Sequence, residues 1–325
     1  VCFLLMYCGL ELEALIAYNI VNPLFTTLFL LNLLRKSEYK IRMKIKWKEL
    51  KAALPYSLRV LMQDMGNVVC NSLRSFIMGG LYSSDDLAYY DRAFTYTSYV
   101  EESVTYTASS VLLPAMAKEQ DNRARFQNYI VKSTALYSIV IIPALLGFAA
   151  VSPTFTRVIL TEKWLPCVPY MCIFAVGFLH YPILTIQRPA FLACGRSDVT
   201  LKITAIQNIT SLVAILLTLK FSPLVIALGT SISLLAYIPL YVHATKKYIE
   251  ISVVDQLGAM AKYILLAIIM AALIFPMNQL AINDVLKLFA QVIIGAIAYV
   301  IMLVITKDKV FYEVLKKVIT RRKKK

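Results

Sequence analysis

The sequence has little charge, little histidine and none of the short patterns that usually mark catalysis. Only 16% of its 325 residues are charged, against roughly 25% in soluble domains. Two histidines occur, His180 and His243. No HExxH, GxSxG, P-loop or DxD-like pair is present, which argues against the common hydrolase and nucleotide-dependent chemistries. The six cysteines (Cys2, Cys8, Cys70, Cys167, Cys172 and Cys194) lie mostly in apolar runs and form no CxxC pair. They read as packing or inert thiols, so neither a metal site nor a cofactor is expected. No basic segment precedes the opening run "VCFLLMYCGL", so that run does not look like a signal peptide. With Val1 in mid-run, the sequence reads as an N-terminally truncated fragment.

What the chain has in excess is apolar residues, 59% of the total, where soluble domains hold about 45–50%. A helix crosses the hydrocarbon layer with roughly 20 mostly apolar residues. Uncharged windows of that kind occur at 14–34, 133–156, 164–187 and 263–283, with another at 286–306 that carries Lys287 at its edge. A pair at about 203–219 and 221–245 is divided by a turn at Pro223. Two further runs, about 52–81 and 88–117, are apolar but charged. The expected fold is an all-α polytopic helix bundle of about nine membrane spans, with residues 1–9 ending a tenth.

Charge distribution supports the count. If the loop after the first span is cytoplasmic, the cytoplasmic segments are 35–51, 118–125, 194–202, 245–262 and 307–325. They hold 8, 3, 2, 3 and 9 Lys/Arg, which is 25 of the 34. The opposite side holds Arg157, Lys163 and Lys220, with Lys287 at a border. This bias is the positive-inside pattern. It explains the net charge of +15 without nucleic acid. The last stretch is amphipathic, with Val310, Val314, Leu315 and Val318 on one side; it reads either as a helix on the anionic face of a membrane or as a frayed basic end.

The two charged runs carry the candidate site. Ionisable groups at membrane depth cost several kcal/mol unless they face protein or water. The first run holds Arg59, Gln63, Asp64 and Arg74; the second holds Asp91, Arg92, Glu101 and Glu102. Arg59 and Arg74 fall about 60° apart around one helix, and Arg92, Tyr96, Tyr99 and Tyr106 fall within roughly 80° on the next. Guanidinium groups bind phosphate through a fork of donors, and tyrosine faces suit sugar rings. Arg188, from the later "IQRPAF" stretch, either reaches the same polar space or snorkels to the cytoplasmic face. Asp64, Glu101 and Glu102 would either bind a coupling ion or pair helices. His180 reads as a hydrogen-bonded buried group.

Three strings carry a family resemblance. "LAYYDRA" at 87–93 opens a helix that closes on "SVLLPAM" at 110–116, followed by a short Asp/Arg loop at 121–125. "ILTEKWLPCVPYM" at 159–171 and "FLACGRSDVTLK" at 191–202 follow in order. Together they resemble the polysaccharide-transporter branch of the multidrug/oligosaccharidyl-lipid/polysaccharide exporter superfamily, the Wzx-like flippases. The usual glycines before the tyrosine pair and before "EKW" are absent here. The resemblance implies two lobes of six helices with two extra helices at the C-terminal end. Residues 1–34 would then end the first lobe, 35–51 would be a cytoplasmic inter-lobe loop, 52–247 the second lobe, and 248–325 the extra pair and basic tail.

The function so implied is the flipping of undecaprenyl-pyrophosphate-linked oligosaccharide across the cytoplasmic membrane by alternating access, for O-antigen, capsule or exopolysaccharide. Membrane lipids and glycan polymerase or assembly proteins are the other partners it suggests. A multidrug/cation exporter of the same superfamily, a membrane-embedded glycan-assembly enzyme and a scaffold are the alternatives.

Overall fold

A computed structural model describes residues 11–36, 47–120 and 122–322. Among the described residues the protein is built of helices alone: α1 (Glu11–Lys36), α2 (Trp47–Leu81), α3 (Ser84–Glu119), α4 (Arg123–Phe155), α5 (Val168–Gly177), α6 (Tyr181–Ala193), α7 (Ser197–Thr218), α8 (Pro223–Leu235), α9 (Tyr237–Tyr248), α10 (Val253–Ile274), α11 (Asp284–Ile305) and α12 (Lys309–Arg322). Some of these join into longer rods. Six rods are both long and apolar enough to cross a membrane: Arg123–Leu160, Glu162–Ala193, Ser197–Thr218, Pro223–Tyr248, Val253–Gln279 and Asp284–Ile305. The three other spans read from the sequence fall on α1, α2 and α3, helices of 26, 35 and 36 residues. At 1.5 Å per residue each is longer than the hydrocarbon layer, which is roughly 30 Å thick. The protein is thus an all-α, multi-pass membrane protein.

Chain contacts divide it into two units, Val1–Pro55 and Tyr56–Lys325, with the division inside α2 at Pro55. In the first unit α1 ends on Arg35 and Lys36 and exposes Leu24, Phe25 and Leu28. Residues 37–46 of the basic segment lie outside the described residues, and α2 is already helical from Trp47.

In the second unit the starts of α3, α4, α10 and α11 are capped by side chains. Ser83 and Asn122 accept hydrogen bonds from the amides of Asp86 and Arg125, both at 3.1 Å. Ser252 caps α10 through Asp255 N at 3.0 Å, and Asn283 caps α11 through Val285 N at 2.9 Å. Each cap satisfies a backbone donor that has no partner within the helix. The core lies along α4. Its Ile141, Ile142 and Leu145 are fully buried among Phe178, Ile183, Met260 and Ala267, and its most extensive partner is α10.

The alternation of ends read from the charges recurs in contacts between distant segments. Arg123 pairs with Glu250, Lys132 with Glu313 at 3.7 Å, and the Arg196 guanidinium lies 4.1 Å from the Tyr248 ring centre. All these residues sit at the basic end. At the opposite end the Tyr82 hydroxyl reaches the Leu219 carbonyl at 2.7 Å, Tyr89 meets Trp164 edge to face, and Thr154 donates to Asn278 at 2.8 Å. The helix α12 is fixed at its start by Asp308. That carboxylate takes Lys262 Nζ at 2.7 Å, the Phe311 amide at 2.9 Å and the Tyr263 hydroxyl at 3.3 Å.

Two predictions follow from these contacts. A Cβ on Gly177 would stand 2.9 Å from the Ser231 Cα and 2.7 Å from its Oγ, whereas Gly258 has nothing within 4 Å. Gly177→Ala should therefore cost about 1–3 kcal/mol through overpacking, while Gly258→Ala should gain up to ~1 kcal/mol of helix propensity; thermal unfolding in detergent distinguishes them. Burial opposes the charge on Asp308, but the Lys262 and Phe311 hydrogen bonds outweigh it and hold its pKa below the ordinary carboxylate value. A depressed carboxyl pKa stabilises the fold above the unfolded pKa, and that contribution is lost as pH falls through the folded one. Asp308→Asn should remove about 1–3 kcal/mol at neutral pH. The gap between variant and parent, followed by thermal unfolding, should close in acid.

Candidate functional site

The helix α2 runs beside α7 in the same direction. Arg59 Nη1 lies 3.5 Å from Ser197 Oγ, Gln63 Nε2 donates to Thr204 at 2.9 Å, and further along Tyr82 reaches Leu219. Arg59 is exposed, near the basic end. One helical turn on, Asp64 accepts a hydrogen bond from Arg188 Nη2 at 3.1 Å, joining α2 to α6. The Asp64 side chain is 58% exposed, so the pair is worth no more than about 1 kcal/mol. Arg59 and Arg74 are fifteen residues apart, roughly 22 Å along the axis, and no contact brings them together.

Arg74 departs from the expectation that it faces water. It is only 8% exposed, with its guanidinium carbon 4.5 Å from the Phe94 ring centre and 5.5 Å from that of Tyr90. Its Nε is buried with no hydrogen-bond partner. The cause is the packing of the α2 end against α3, which offers two aromatic faces to the cation. Arg74 therefore holds helices together, as the interior polar group of an aromatic cluster that includes Tyr170 and Phe174.

The helix α3 has two faces. Tyr90, Ala93, Thr97 and Glu101 are buried at spacings of three and four residues. Arg92, Tyr99, Glu102 and Tyr106 are exposed along the other side, with Tyr96 half-buried at its edge. Tyr99 is 58% exposed and Tyr106 83%. The Arg92 guanidinium lies 5.8 Å from the Trp164 ring centre, and Tyr96 packs edge to face on both Tyr99 and Phe155. This stripe presents one guanidinium and a run of phenol rings over about 21 Å of helix. Such a surface can neutralise an anionic group at one place and stack on sugar rings at several others.

The three acidic candidates separate. Asp64 is matched by Arg188 and Glu102 is exposed, but Glu101 is 3% exposed. Thr105 donates to Glu101 and also hydrogen-bonds Tyr137 on α4. Around α2, α3 and α6 the four arginines at 59, 74, 92 and 188 stand against four carboxylates at 64, 91, 101 and 102. The site is therefore not a uniformly cationic wall. His180, buried, places Nδ1 2.8 Å from the Gly177 carbonyl and stacks on Tyr237. Among the described residues no group of three metal-ligating side chains occurs.

Trp164 and Phe155 belong to the stripe's surroundings and were not among the sequence candidates. Trp164 stood in plain view in "EKW", but nothing in the sequence says that this turn folds back onto the start of α3.

The burial of Arg74 and the exposure of Arg92 predict different phenotypes. Arg74→Ala should lower stability by about 1–3 kcal/mol, from lost cation–π contact and packing. Arg92→Ala should stay within roughly 0.5 kcal/mol of the parent. Thermal unfolding of the two purified variants checks this.

A family profile described as polysaccharide biosynthesis protein matches residues 1–169. An uncharacterized membrane protein in the cps region of Klebsiella pneumoniae is 24% identical over 143 residues, 44% of this chain and 30% of that protein. The teichuronic acid biosynthesis protein TuaB of Bacillus subtilis is 23% identical over 38% of this chain and 25% of its own length. The lipopolysaccharide biosynthesis protein WzxC of Escherichia coli is 22% identical over 46% and 31%. The matched part of the chain thus spans less than a third of each of these relatives. The fold is similar to that of the lipid II flippase MurJ in an inward closed conformation, with a TM-score of 0.64 and 18% identity, covering 83% of this chain and 57% of that one.

Proposed function

The chain belongs to the family of polysaccharide biosynthesis proteins, and from that membership we propose that it is the working part of a flippase for lipid-linked oligosaccharide. The substrate class we assign is an undecaprenyl-pyrophosphate-linked glycan, carried across the cytoplasmic membrane by alternating access. The basic segments and tail then lie in the cytoplasm, as the positive-inside bias requires. The observation that carries the reading is the exposed stripe of α3. Arg92 supplies the charge for a pyrophosphate, while Tyr96, Tyr99 and Tyr106 supply faces for successive sugars. Arg59, exposed at the basic end, would meet the anionic headgroup on the other side of the membrane, and Arg188 would do so when released from Asp64. Residues 52–247 act as one lobe, with α10 and α11 as an added pair. This is transport rather than chemistry, since every step is a change in which side of the membrane the polar face meets. The names of the relatives, which mention a cps region, teichuronic acid biosynthesis and lipopolysaccharide biosynthesis, support an envelope glycan as the cargo.

The test is a proteoliposome assay with a fluorescent undecaprenyl-pyrophosphate oligosaccharide and a membrane-impermeant quencher. The parent protein should move label between leaflets. Arg92→Ala combined with Tyr99→Ala should slow it by about tenfold, a loss of ~1.4 kcal/mol. Equal rates in variant and parent, at equal reconstitution, would remove the stripe from the mechanism.

A further inference from the structure

The helices α9 and α10 meet at the basic end through a turn at residues 249–252, and a cleft of about 310 Å³ lies between them. Pockets for small ligands begin at roughly that size, about 300 Å³. Ile238, Val242 and Leu257 wall the cleft, and His243 and Lys246 edge it. Positions 238, 242 and 246 stand four apart, so they form one face of α9. The cleft has a polarity order along that face. Lys246 and His243 lie two and five residues from the end of α9 at Tyr248, roughly 3 and 8 Å along the axis. Ile238 lies ten residues from the same end, roughly 15 Å into the span. Polar groups thus stand at the membrane edge, with aliphatic surface beneath them.

The cleft is held open from behind. Gln256 of α10 donates to the Ile251 carbonyl at 3.0 Å and accepts from Gln187 at 2.7 Å. Gln187 in turn accepts from Thr245 of α9 at 2.6 Å. These side chains are buried, so the spacing of the two helices is set before anything enters between them. The lip, by contrast, is open. His243 and Lys246 are exposed, and among the described residues neither is held by an ion pair. The carboxylates of the turn and of the α10 start are already engaged: Glu250 pairs with Arg123, and Asp255 accepts from Ser252 at 2.8 Å. The charge of Lys246 is therefore left uncompensated above an apolar cleft. An ammonium is a point-charge binder of phosphate, and an imidazole N–H is a further donor.

We propose that this cleft binds an anionic phospholipid of the leaflet at the basic end. One acyl chain lies along Ile238, Val242 and Leu257, and the phosphate meets Lys246 and His243. Basic clefts between spans on the cytoplasmic side are where anionic headgroups gather. The order of groups in the cleft, cation outside and aliphatic wall inside, is that of such a lipid. The bound chain fills the angle between α9 and α10, so it stabilises the junction that the buried glutamines hold from the other side. The site stands on this geometry and not on the flippase reading.

The experiment is native mass spectrometry of the purified full chain in detergent, offered equal amounts of dioleoyl phosphatidylglycerol and dioleoyl phosphatidylcholine. The parent should retain the anionic lipid in excess. Lys246→Ala should weaken that retention about fivefold, the worth of one cation near an anionic surface. Lys247→Ala should leave it unchanged, since that ammonium lies 5.4 Å from the Tyr248 ring centre and does not line the cleft. Leu257→Trp fills the cleft and should lower retention of both lipids; if that variant does not fold, the two lysine variants decide alone. Phosphatidylglycerol should also raise the thermal unfolding midpoint of the parent, by binding the folded state, and fail to raise that of Lys246→Ala with His243→Ala. Equal retention of the two lipids, or equal losses from Lys246→Ala and Lys247→Ala, overturns the proposal. So does a dimer that Leu257→Trp dissociates, which gives the cleft to a second copy. Displacement of phosphatidylglycerol by a smaller amount of undecaprenyl phosphate also overturns it and gives the cleft to an isoprenoid lipid. Glycerol phosphate binding as tightly as the whole lipid removes the acyl chain from the site and overturns it as well.

Discussion

A polar group inside hydrocarbon must find its partner within the protein, and the arrangement of this molecule follows from that rule. The hydroxyls of Thr134 and Ser138 turn back onto carbonyls of their own helix at 2.9 and 2.7 Å. Gln187 is enclosed between Gln256 and Thr245 at 2.7 and 2.6 Å, linking α6, α9 and α10. Gln63 meets Thr204, and Tyr90 meets Thr230 at 3.1 Å. These pairs fix the register of helices whose remaining surfaces are interchangeable aliphatic side chains. In a membrane the hydrophobic effect does not drive helix against helix, so such pairs and close packing decide which helices meet. The approach of α5 to α8 at Gly177 is the packing half of the same principle.

The helix α3 matters because it separates two jobs by face. Its inner side meets α2, α5 and α8 through Tyr90 and Phe94, by contact with Arg74 and Phe174 and a hydrogen bond to Thr230. Its open side carries a cation, Arg92, and the exposed phenol rings of Tyr99 and Tyr106. A helix anchored along one face holds its backbone rigid while the side chains of its other face stay exposed. Arg74 and Arg92 illustrate the division. Both are guanidinium groups near the same end of the bundle, yet one is enclosed by Phe94 and Tyr90 while the other lies open beside Trp164.

The similarity to MurJ concerns fold, and the family membership covers the first half of the chain. The candidate residues on α2 and α3 fall within that matched half, whereas Arg188 lies beyond it.

Much of the architecture was legible in the chain itself. Span positions follow from lengths of uncharged sequence, because the width of the hydrocarbon layer is fixed. The grouping of helix ends follows from where lysines and arginines fall. The α3 stripe at residues 92, 96, 99 and 106 follows from helical geometry, which needs no neighbours. What the sequence could not decide is which side of a helix its neighbours cover. Glu101 and Glu102 are adjacent and chemically identical, yet one is enclosed and the other exposed. The 100° between them means nothing until α4 and α6 are in place. Likewise Arg74 read as a water-facing group until α3 supplied Phe94. Local periodicity determined the elements and their polar faces; only packing between distant segments assigned each charge to protein or to open space.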